Sequence, residues 1–188
     1  MNYPLFSVML LIGAGVASAK TPIASATPSL GAAFVACDVT LNVDDPDPNG
    51  LNVRAVPNAK TGKVIGVLKP DGDWTEVHVV GDSGGWLRID HAETIDDNAP
   101  DGERSVFKGE GWVHVSKLGI SELSTGEGTI IRDRPADNGA ILLKLDDPDK
   151  EPKSTKVVGC DGRYIQIEFE GKSGWTRNFC TNERTTCS

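Results

Sequence analysis

The chain runs through nearly the same pattern twice, and this repetition constrains its fold more than any bulk property. Leu51-Asn52-Val53-Arg54-Ala55-Val56-Pro57 is followed by Gly84-Gly85-Trp86-Leu87-Arg88-Ile89 and then by Gly111-Trp112-Val113. A weaker version runs Thr129-Ile130-Ile131-Arg132-Asp133-Arg134-Pro135, Gly162-Arg163-Tyr164-Ile165-Gln166-Ile167 and Gly174-Trp175. Arg54 to Arg132 and Trp86 to Tyr164 span the same 78 positions, so the register is kept between these landmarks. A repeated unit fixes architecture before residue chemistry is considered. Two such units use up most of the 188 residues and leave little room for a catalytic domain. The gap from Trp86 to Trp112 is longer than that from Tyr164 to Trp175, so the first unit carries an insert at 91–108. Its polar composition reads as a long surface loop.

After residue 20, short alternating runs bounded by Gly, Pro, Asp and Asn dominate, which is the pattern of an all-β chain. Strands are expected at 51–55, 63–68, 74–80, 86–90, 111–115, 129–133, 140–145, 155–159, 163–169 and 173–177. In 74–80, Thr75, Val77 and Val79 share one face, and Trp74, Glu76 and His78 the other. The valines belong to the core. Trp74 then lies outward, either as a stacking platform or packed against the insert or the second unit. Trp86, Trp112, Tyr164 and Trp175 sit at the repeat landmarks and are expected to fill narrow barrels, with the two Gly-Trp pairs also candidates for a groove.

These motifs resemble the bacterial SH3-like (SH3b) family, in which an LNVR-type strand and Pro turn precede a Gly-Trp strand and a closing Gly-Trp-Val strand. The first unit carries all three. In the second, Leu-Asn-Val-Arg becomes Thr129-Ile130-Ile131-Arg132 and the middle Trp becomes Tyr164. The resemblance implies two tandem small SH3-like β-barrels: 40–119 with the inserted loop, a connection at 120–127, and 128–188 with a Cys-containing tail. It also implies a binding role towards cell-wall peptide or a protein segment.

Leu5 to Val16 is an apolar run too short to cross a bilayer, and Ala17-Ser18-Ala19 is a small-residue cleavage pattern. A signal peptide is therefore expected at 1–19 and a flexible lead-in at 20–39, giving a periplasmic or secreted protein with no membrane segment after cleavage. Phe34-Val35-Ala36-Cys37 distantly resembles a lipidation box, but Lys20 to Leu30 separates it from the apolar run. An even set of Cys37, Cys160, Cys180 and Cys187 in an exported chain favours two disulfides. Three pairings are open. Loop-closure entropy leans towards Cys180–Cys187, leaving Cys37–Cys160 to tie one barrel to the other.

The net charge of −8 argues against nucleic acid, whose binding begins with basic groups neutralising phosphates, and against an anionic membrane surface. No cofactor or metal is expected. Asp45-Pro46-Asp47-Pro48-Asn49-Gly50 starts like a calcium loop but has Val56 where the bidentate acid belongs, and reads as a turn. His78, His91 and His114 lie in no catalytic motif, so enzymatic activity is not expected. The expected site is a shallow groove beside 91–108, in which Trp74 and Trp112 stack, and Arg54 or Arg88 meets an anionic group. The alternative for Arg54 and Arg132 is an ion pair bracing the first strand. A different class of function is also open: an inhibitor, immunity or assembly partner that covers a basic protein surface with the acidic first barrel.

Overall fold

The computed structural model describes residues 33–70, 74–123, 128–145 and 155–182. The expected signal peptide, most of the lead-in and Cys187 lie outside the described residues. What is described is β-structure with one 3-10 turn. The first sheet is built from β1 (Val35–Val43), β2 (Leu51–Arg54), β3 (Val64–Leu68), β4 (Thr75–Ser83), β5 (Trp86–Ile95), β6 (Glu103–His114) and β7 (Leu118–Gly119). Its order is β3-β2-β6-β5-β4-β1-β7. After β8 (Glu122–Leu123) come β9 (Thr129–Arg132), β10 (Ile141–Leu145), β11 (Thr155–Asp161), β12 (Tyr164–Phe169) and β13 (Lys172–Thr176), in the order β10-β9-β13-β12-β11. That order repeats β3-β2-β6-β5-β4 strand for strand. β14 (Phe179–Cys180) then pairs with β8.

Period-two alternation puts the aliphatic residues inside. Leu41, Val53, Val77, Val79, Leu87, Ile89 and Val113 are fully buried in the first sheet, and Ile131, Ile165 and Ile167 in the second. The tryptophans are not barrel filling. Leu87 and Ile89 point inward, so Trp86 and Arg88 must point outward, and Trp86, Trp112, Tyr164 and Trp175 are all only half-buried. Glycines make room where the sheets curl. A methyl group at Gly111 would collide with Val53 Cγ1, and one at Gly174 with Ile131 Cγ2, the same contact in each sheet.

Two further sequence expectations are corrected. The lead-in does not reach residue 39: β1 begins at Val35, with Cys37, Val39 and Leu41 buried against β4. The 91–108 segment is not a loop. β5 and β6 run on through it as a paired hairpin arm from His91↔Lys108 to Ile95↔Glu103. Its inner face carries Ala92 and Thr94, both buried, and the Phe107 ring packs over Gly66 of β3. A polar outer face made this arm look like loop.

The sheets are fastened to each other. Cys37 and Cys160 form a disulfide, and backbone bonds run from Asp38 N–H to the Gly162 carbonyl (2.8 Å) and from Gly162 N–H to the Ala36 carbonyl (2.9 Å). Asp82 accepts the Cys160 amide at 3.2 Å, and Asn182 Nδ2 donates to Glu76 Oε1 at 2.7 Å. One cluster of buried side chains runs through both sheets. Cys180 is also disulfide-bonded, while Cys187, its expected partner, is not described.

Candidate functional site

Three of the four expected ligand residues come together. Trp112 on β6 pairs with Arg54 on β2 and Arg88 on β5, so the three residues are neighbours on the outer face. That surface is already occupied. Phe34 meets Trp112 edge-on at 6.4 Å between centroids, and Arg88 lies 4.7 Å over the Phe34 ring. Gly81 leaves the space for Phe34, because a Cβ there would meet its ring. Trp74 belongs elsewhere. It precedes β4, whose far end holds Gly81 opposite Arg88, so it is about 20 Å away along the strand. It lines a separate recess with Asn42, Asp44 and Pro70. The single groove uniting Trp74 with Trp112 therefore does not form.

Arg54 and Arg132 each brace the turn after their strand, but through a carbonyl and not an acid. Arg54 Nη1 donates to the Gly62 carbonyl at 2.7 Å, and Arg132 Nη1 to the Gly139 carbonyl at 2.9 Å. Asp45–Gly50 is a turn: Asp47 accepts the Asn49 amide, and Lys117 Nζ holds the buried Asp45 carboxylate at 2.9 Å. Gly50 is needed there, since its φ is +90° and a Cβ would strike the Leu68 carbonyl. His114 Nδ1 meets Ser116 Oγ at 2.8 Å and also accepts the Ser116 amide. This pair caps the 3-10 turn Val115–Lys117.

The chemistry concentrates on a face that sequence motifs did not mark. A cleft of about 450 Å³ opens where the sheets meet, within the size range of small-ligand sites. Asp38, Glu76 and His78 of the first sheet line it, together with Arg163 of the β11–β12 turn, Arg177 just past β13 and Phe179 of β14. Arg177 is held by Asp137 at 3.2 Å and lies 5.8 Å from the Tyr164 ring centre, whereas Arg163 has no side-chain partner among the described residues.

Beside the cleft, His78 and His91 sit directly opposite each other on β4 and β5, their rings stacked 5.0 Å apart. Asp90 Oδ1 lies 2.9 Å from His78 Nδ1 and 2.7 Å from His91 Nδ1, and Asp38 Oδ1 lies 3.2 Å from His78 Nε2. Neighbouring residues on a strand normally face opposite ways. Here β5 bulges: Ile89 pairs with Val79 and His91 with His78, leaving Asp90 as the extra residue. The bulge turns Asp90 and His91 to the same side. Burial would lower the His78 pKa, but the bonds to Asp90 and Asp38 outweigh it and hold the ring above the ordinary histidine value. Asp90 is held below the ordinary carboxylate value, since the bonds from both histidines overcome its burial. Glu103 is pushed up by burial and then by the adjacent Glu93 carboxyl.

A family model described as bacterial SH3 domain matches residues 49–118, from the turn before β2 to β7. The second sheet lies outside this match. No curated protein and no solved structure matches the chain.

Proposed function

With residues 49–118 a bacterial SH3 domain, we propose that the protein is an exported, non-catalytic binding protein that holds a short zwitterionic peptide of the cell-wall type in the cleft between its two sheets. The observation that carries this reading is the mixed charge of the cleft lining. Asp38 and Glu76 line it to meet an amine, and Arg163, with no side-chain partner among the described residues, to meet a carboxylate, with Phe179 adding apolar surface. A guanidinium fork recognises a carboxylate with two parallel bonds, and fixed opposite charges orient a ligand that carries both. The disulfide between Cys37 and Cys160 supports export, because such bonds persist in oxidising compartments.

Co-sedimentation of the mature chain with purified wall sacculi tests the reading. Arg163→Glu, which reverses a charge in the cleft lining, is expected to abolish retention, while Trp74→Ala leaves it intact. Equal retention of the parent and Arg163→Glu overturns the cleft. Capture of a basic protein that weakens steeply with salt, in place of wall material, would instead favour the covering of a basic surface by the acidic first sheet.

A further inference from the structure

His78, Asp90 and His91 offer three ligand atoms that all lie within 4.8 Å of one another on one face of the first sheet. We propose that this face is a binding site for a first-row divalent cation of the zinc class, taken by one ring nitrogen from each histidine and the Asp90 carboxylate.

Four observations converge on it. The donor set is chemically selective: two imidazoles and one carboxylate suit Zn²⁺, Ni²⁺ or Cu²⁺, whereas Ca²⁺ and Mg²⁺ require oxygen. The spacing is close to what is needed. A tetrahedral zinc with bonds of about 2.0–2.2 Å holds its ligand atoms about 3.3–3.6 Å apart; the Asp90 oxygen, 2.9 and 2.7 Å from the two ring nitrogens, needs to open slightly, and all three ligand atoms already lie within 4.8 Å of one another. The backbone is specialised for it, since only the bulge at Asp90 puts that carboxylate between two rings that already face each other across the ladder. Finally, the far nitrogen of His78 is held by Asp38, 3.2 Å away, and metal-binding histidines are commonly oriented by such a carboxylate.

The surroundings complete the site. Thr40, Glu76, Glu93 and Glu103 line a recess with both histidines, so a further oxygen ligand is at hand and the local charge attracts a cation. The position of the second sheet that answers to this pair has none of these features. Lys156 stands opposite Glu168 in regular register, an ordinary cross-strand pair.

Zinc chloride titrated into the untagged mature chain, followed by calorimetry and by NMR of the histidine rings, tests the site. One equivalent is expected to bind in the micromolar range and to shift the His78 and His91 rings but not that of His114. His78→Gln and His91→Gln should each weaken binding at least about tenfold, and Asp38→Asn by about tenfold through loss of ring orientation. His114→Ala should bind as the parent does. Thermal melts guard against misfolding: zinc should raise the midpoint of the parent and of His114→Ala but not of the glutamine variants. Absence of binding, binding unchanged by both glutamine variants, or equal uptake of Ca²⁺ would reduce the cluster to an ion-paired surface and overturn the site.

Discussion

The two sheets share a strand order and differ in what their outer faces carry. In both, a glycine under the first strand, Gly111 or Gly174, admits a branched side chain, and an arginine at its end, Arg54 or Arg132, ties down the following turn. Gly81 and Gly159 also correspond, but the vacated space is used differently. Phe34 fills it in the first sheet and the Asp82 carboxylate in the second. Trp86 leans on His114 in one, while Tyr164 donates to Asp137 at 2.6 Å in the other. The first sheet has the bulge and the histidine pair, the second a plain Lys156↔Glu168 pair. The interior is thus held nearly constant by packing, where a single methyl group is felt, while outward positions are free to acquire chemistry.

The largest test of this comparison is the covalent tie. Replacing Cys37 and Cys160 together by Ser opens a cross-link across 123 residues and should cost about 3–5 kcal/mol. Denaturant titration would show whether the sheets then melt separately or still as one. A single transition of unchanged midpoint would mean that the shared core alone joins them. Next in size is the matched glycine pair. Gly111→Ala and Gly174→Ala should each cost about 1–3 kcal/mol by overpacking, with similar losses in the two sheets. A neutral substitution in one sheet would break the equivalence of their interiors.

The smallest effect lies at the junction. Burial raises the Asp82 pKa against the opposing bonds from the Cys160 and Gly85 amides. Its folded state therefore favours the protonated acid, so ionisation subtracts stability as pH rises from the ordinary carboxylate value through the raised one. Asp82→Asn removes that dependence. The stability difference between variant and parent should move in favour of the variant as pH rises from the ordinary carboxylate value through the raised one, then level off. Urea melts across that range would measure it, and a difference independent of pH would show that Asp82 is not strained by the junction.

Much of the framework was readable from the chain. Alternation in Thr75-Glu76-Val77-His78-Val79 assigned both faces of β4 correctly, because side chains in a strand alternate without exception until the pairing slips. The same rule, applied to Trp86-Leu87-Arg88-Ile89, places Trp86 outside, and repetition alone is a poor guide to burial. β1 carries the signal too, in Cys37, Val39 and Leu41, but it lies before the repeated motif, which begins at Leu51. The hairpin arm at 91–108 was obscured by its polar outer face.

The candidate sites were scarcely readable, and the reason is geometric. Asp90 and His91 are neighbours, and an unbulged strand would send them to opposite sides; nothing local in the sequence announces the extra residue that turns them together. The cleft depends on Asp38 and Arg163, which are distant in the chain and line one cleft only because Cys37 and Gly162 are locked side by side. Local side-chain alternation was enough to determine most of the strands and the inner face of β4, since these follow from backbone periodicity. Which outward groups become neighbours was decided only in three dimensions, by slips in pairing and by the docking of one sheet on the other, and no periodic pattern encodes either.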